Sequence, residues 1–125
     1  MQVTEEDIET YTNGHCWSLA WQISKRTGLP LVTISPESQA WKKHRSWDHV
    51  VVQVGNKYLD VEGLVSKREL QDKWGRYLTK HGTFSSMEEY EDHLCDKYGF
   101  SDYDDHVQHT INLAKFLIGE YIGTP

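Results

Sequence analysis

The sequence predicts an α+β fold on three observations. An apolar helix pattern spans about 15–26, a two-residue Gly55-Asn56 turn separates two β-rich runs, and capped helix starts recur toward the C-terminus. The chain has 125 residues, enough for a single domain, 1–125, whose core needs no disulfide staples. An apolar content of 38%, with 12% aromatic residues, argues against disorder.

Thr4 followed by Asp7 has the spacing of a capping box and predicts a short helix over about 4–12, broken by Asn13-Gly14. A second helix follows from about His15 to Arg26. Its Leu19, Ala20 and Ile23 fall on the side of Cys16, Trp17 and Trp21 flank them, and Gly28 and Pro30 supply the stop. "LPLVTIS", 29–35, is short, apolar and β-branched, as a buried strand should be. Residues 36–47 carry no period and read as a mobile loop. "HVVVQV", 49–54, and "KYLDVEG", 57–63, flank Gly55-Asn56 as the two arms of a β-hairpin.

Three more helix starts are predicted at Ser66 with Glu69, Ser85 with Glu88, and Asp102 with Asp105, each with carboxylates where the helix dipole favours them. The last helix carries Val107, Ile111, Ala114, Leu117 and Ile118 as a core stripe. The order of helix, helix, strand, hairpin and helices predicts one layer pair, a small antiparallel sheet with helices packed on it.

Lys and Arg number 13 against 19 Asp and Glu, a formal charge of -6, which gives no general attraction for nucleic acid or anionic lipid. The basic run Trp41-Lys42-Lys43-His44-Arg45 reads as a solvated loop. The acidic start "MQVTEEDIET" lacks a signal-peptide pattern, and no stretch approaches the roughly 18 apolar residues of a membrane span. The expectation is a cytoplasmic protein that binds neither membrane nor nucleic acid. Cys16 and Cys95 have the option of pairing, but a reducing cytosol makes free thiols the expected state.

Cys16 opens a helix straight after Gly14. Unpaired N–H groups and the dipole at a helix start favour a thiolate, and Gly14 lets backbone N–H groups face a developing oxyanion with little obstruction. His49 begins a strand, where its ring can point out of the sheet toward a packed helix end. In the predicted register His49 stands near 62 and Asp60 near 51, so the two are diagonal neighbours on one face. Cys16, His49 and Asp60 then form a set of nucleophile, base and orienting acid. Glu62, nearly opposite His49, is the alternative orienter. Asn13, Gly14, Trp17, Trp47 and Glu62 are candidates for contacting substrate, with Trp47 a possible cleft wall and His15 placed in an exposed role.

"GHCWSLAWQI" and "HVVVQVGNKYLDVEG" together resemble the nucleophile helix and the histidine and acid strands of papain-like fold cysteine proteins. That group includes transglutaminase-like, arylamine N-acetyltransferase-like and NlpC/P60-like enzymes. The resemblance covers about 13–63 and is strongest to compact bacterial or phage members with a Gly-x-Cys helix and a "YLDVEG" ending. It implies a papain-like core, with Cys16 as nucleophile, His49 as general base and Asp60 as orienting acid. Two features depart from the group: Asn13 is the nearest amide where papain has an upstream Gln, and the interval from Cys16 to His49 is short.

Each residue also has an ordinary explanation. Cys16 suits a buried core position, His49 a solvated strand end, and Asp60 a cap on backbone N–H groups; only their coincidence is informative. His93-x-Cys95 and His106-x-x-His109 offer four potential ligands but lack the tighter spacing of zinc motifs, so no metal or cofactor is expected. The expected function is cysteine-dependent acyl transfer on a protein or small-molecule substrate, of peptidase, deamidase, transglutaminase or acyltransferase type. The alternative is a non-catalytic binding or inhibitor domain on the same fold, such as a phage or mobile-element accessory protein that blocks a host factor. The substrate, the acyl acceptor and the oligomeric state are not encoded in these motifs.

Overall fold

The computed structural model describes residues 1–12, 16–36, 49–86, 89 and 107–123. The capping box forms as spaced: Thr4 N donates to Asp7 Oδ2 and Asp7 N to Thr4 Oγ1, both at 3.1 Å, and helix α1 runs Glu5–Thr12. Helix α2, Cys16–Thr27, is buried without a break from Cys16 to Ser24, on more than the one expected stripe. The physical reason is that it lies between two neighbours, packed on the sheet and on the C-terminal helix α4, Val107–Tyr121. Gly28 ends it at φ 74°, donating its N–H to Ser24 O.

Among the described residues five strands form one antiparallel sheet: β1 Leu31–Ser35, β2 His49–Val54, β3 Lys57–Asp60, β4 Gly63–Ser66 and β5 Tyr77–Gly82, in the order β4-β3-β2-β1-β5. The hairpin register is the expected one, with Val54 opposite Lys57 and Val52 opposite Leu59 across Gly55-Asn56. The second arm is shorter than expected. β3 stops at Asp60, whose Oδ1 accepts the N–H of Glu62 at 2.8 Å; this Asp-headed turn sends the chain back as β4. β5 is a further strand, paired along β1. Its "YLTKHG" has little apolar alternation because none of its residues is fully buried.

The sheet is covered on both faces, which corrects the expected single layer pair. One face carries Leu31, Val50, Val52, Leu59 and Val61 in a cluster with α2 and with Leu113, Ala114 and Leu117 of α4. The other carries Val32, Ile34, Val51 and Tyr58 in a cluster with Leu70 of helix α3, Lys67–Trp74. Ser66 starts α3 as predicted, in a capping box with Glu69. The buried side of α4 is Thr110, Leu113, Ala114 and Leu117, whereas Val107, Ile111 and Ile118 are only partly buried. Its core stripe is therefore rotated from the predicted one. Ser86 rather than Ser85 accepts from the N–H of Glu89, and Ser85 holds the Glu89 carboxylate. The predicted loop 36–47 and the Asp102/Asp105 helix start fall, apart from Pro36, outside the described residues. No helix among the described residues is long and apolar enough to cross a membrane.

Gly75 sets how closely α3 approaches the sheet. Its φ is 134°, and a Cβ there would lie 2.4 Å from the Ser35 carbonyl carbon and 2.6 Å from Pro36 N. Those atoms are backbone and cannot rotate away. Gly75→Ala is expected to destabilise the fold by about 2–4 kcal/mol, read from urea unfolding midpoints. A loss below about 0.5 kcal/mol would mean that the close approach is not needed.

Candidate functional site

Alternation along β2 and β3 fixes where His49 and Asp60 point. His49 pairs with Ile34 and lies two residues from Val51, so its side chain belongs to the α3 face; Asp60, two residues from Tyr58, shares that face. His49 Nε2 meets Asp60 Oδ2 at 2.8 Å, with the two side chains 0% and 6% exposed. The strand-end histidine is thus buried rather than solvated. The helix end it meets is the last residue of α3: the Trp74 ring stacks on the imidazole at 4.3 Å between centroids and 19° between planes.

Cys16 approaches from the other side of the sheet. It is the first residue of α2, buried, and a free thiol. Because His49 is the first residue of β2 and Asp60 the last of β3, the pair sits at the end of the sheet, where the start of α2 can reach it. Cys16, His49, Asp60, Tyr11 and Val50 line one crevice with no room for a water molecule.

Electrostatics bind the three side chains together. Burial alone would lower the His49 pKa, but the Asp60 hydrogen bond and the neighbouring Cys16, each acting also through its charge, outweigh it and hold the imidazole at about 9. His49 Nδ1 is buried and lacks a hydrogen bond. A buried, unmatched ring nitrogen is costly and calls for an explanation. Nε2 belongs to Asp60 and the Tyr11 hydroxyl to Thr110 Oγ1, which leaves the Cys16 sulfur as the crevice group able to answer Nδ1. The sulfur is near enough to raise the imidazole pKa without an ordinary hydrogen bond having formed.

Asp60 is the carboxylate that touches His49. Glu62, the alternative orienter, points its side chain to Lys73 and gives only its backbone N–H to Asp60. Each oxygen of Asp60 therefore has a task, Oδ1 closing the turn and Oδ2 holding the imidazole. Trp17 is packed in the core cluster with Cys16. Asn13, Gly14 and Trp47 lie outside the described residues, as do His15, Cys95 and the ligand candidates His93 and His106. His109 bonds to Asp7, and no cluster of three potential metal ligands occurs among the described residues. Trp74 was not singled out from the sequence, because nothing in its local spacing shows that α3 folds back over β2.

Comparison with models of protein families, with curated proteins and with solved structures finds no match to this chain.

The raised pKa makes stability depend on pH. His49 binds its proton more tightly folded, at about 9, than unfolded, at the ordinary 6.5, so its contribution is fully present below pH 6.5 and is lost as pH rises through 9. Unfolding free energy should fall by up to roughly 3 kcal/mol between pH 6 and pH 10, and His49→Gln should flatten that slope. Urea titrations of both proteins check this; equal slopes would refute the linkage.

Proposed function

We propose that the chain is a thiol-dependent acyl-transfer protein in which Cys16 is the nucleophile, His49 the proton carrier and Asp60 the group that holds the imidazole. The observation behind this reading is the buried His49–Asp60 bond, made through Nε2 at 2.8 Å, which leaves Nδ1 free beside a helix-start cysteine. A papain-like core belongs to the same proposal. What supports it is the order of a cysteine helix, a histidine strand and an acid strand around one crevice.

In this mechanism Cys16 and His49 rest as a thiolate–imidazolium pair, the Nδ1 proton being the one the thiol has given up and Asp60 stabilising the imidazolium. The thiolate attacks an amide or thioester carbonyl carbon; the S–C bond forms and the carbonyl electron pair moves to oxygen. As that pair returns, the bond to the leaving amine or thiol breaks, and the Nδ1 proton goes to the leaving group. Water or an amine then attacks the acyl carbon, His49 takes its proton, and the thioester bond breaks to restore Cys16. Trp74 shields the His49–Asp60 bond from solvent, which strengthens it. A second reading, a binding or inhibitor domain in which the three residues serve only the core, is favoured by the tightness of the crevice and the 6% exposure of Cys16.

Acylation by an activated thioester, followed by mass spectrometry on the intact chain, separates the two readings. Wild type should form a hydroxylamine-sensitive adduct at Cys16 and Cys16→Ala none. Asp60→Asn should slow its formation about 100-fold, and Glu62→Gln should leave it within about twofold. Equal rates for wild type and Asp60→Asn would favour the binding reading.

A further inference from the structure

Among the described residues the crevice has no room for a water molecule, so a carbonyl can reach Cys16 only if one of its walls moves. Tyr11 of α1 is one wall, 1% exposed. Asp7 and Tyr11 are the buried residues of α1, and Ile8 packs partly covered against the core. Two polar ties fasten these residues to α4. The Tyr11 hydroxyl and Thr110 Oγ1 share a buried hydrogen bond at 2.7 Å, and Asp7 Oδ1 pairs with His109 Nε2 at 2.7 Å.

We propose that α1 is a gate over the Cys16–His49 crevice, latched to α4 by the Tyr11–Thr110 bond and the Asp7–His109 pair, and that its release uncovers the thiol. Four features carry this inference. The wall that α1 contributes is a single side chain, Tyr11, so displacing one two-turn helix removes it without disturbing the sheet. The ties leave α1 from Asp7 and Tyr11, one turn apart on one face, and meet the consecutive residues His109 and Thr110 on a single turn of α4. Asp7 is drawn into the helix cap as well, since its other oxygen accepts Thr4 N. Solvent reaches the latch through a hollow of about 470 Å³ lined by Thr4, Glu6, Asp7, Thr10 and His109, so the Asp7–His109 hydrogen bond can open while the rest of the core stays packed.

The gate rests on the acyl-transfer reading for its purpose, but thiol exposure is measurable without any turnover. The full chain is treated with iodoacetamide, alkylation at Cys16 is followed by peptide mass spectrometry, and hydrogen exchange is recorded on the same proteins. Asp7→Asn combined with Thr110→Val should raise the rate of Cys16 alkylation by about tenfold. Exchange should quicken over residues 5–12 and stay unchanged over 49–54. Tyr11→Phe, which keeps the ring and loses the hydroxyl, should give a smaller rise of the same kind. Unchanged alkylation despite faster α1 exchange, unchanged α1 exchange, or alkylation that rises only when 49–54 also loses protection would each overturn the gate. Absence of any acyl adduct would overturn the acyl-transfer reading and leave the exposure result standing.

Discussion

A histidine with no solvent exposure has to be answered on both ring nitrogens or give up its charge, and the structure is arranged around how His49 is answered. Asp60 meets Nε2 at 2.8 Å from the neighbouring strand, which is possible only in the register that Gly55-Asn56 imposes. A slip of one residue would send Asp60 to the opposite face. The same carboxylate closes the turn into β4, so the position of the acid and the end of its strand are set together. Trp74 completes the enclosure from α3, and Gly75 lets that helix end lie against the backbone of Ser35 and Pro36.

Much of this was legible in the sequence because it depends on local chemistry. The Thr4/Asp7 and Ser66/Glu69 caps, the hairpin turn, and an acid at Asp60 or Glu62 beside His49 follow from spacing; that the acid is Asp60 follows only from the turn at 60–62, which sends Glu62 to Lys73. What escaped notice depends on packing. β5 has no alternation because its side chains are not fully buried, and it is a strand only because β1 has an edge to pair. The buried stripe of α4 is rotated from the one its apolar spacing predicts, since Thr110 is buried to meet Tyr11 and only the tertiary partner reveals that. Trp74 reaches His49 through a helix packed across the sheet, a contact that no sequence spacing encodes.

The unmatched Nδ1 joins the fold to the proposed chemistry. Nδ1 makes no ordinary hydrogen bond, yet the Cys16 sulfur is near enough to help keep the ring protonated. A thiol that must lose its proton and regain it gains from just such a neighbour. The same enclosure that strengthens the His49–Asp60 bond would also shut a substrate out of the proposed site, so the proposed reactivity and access make opposite demands on one small volume. The proposed gate on α1 lies away from the strands that hold His49 and Asp60, so it would open without changing their register.

The central claim is that His49 is held as an imidazolium by Asp60 and Cys16 acting together. Its most direct test is a nitrogen-15 NMR titration of the His49 ring in wild type and in Cys16→Ala. In wild type both ring nitrogens should carry imidazolium shifts at neutral pH and titrate near 9, and removing the thiol should move that midpoint downward. A neutral ring at pH 7 in wild type, or a midpoint unchanged by Cys16→Ala, would contradict the account.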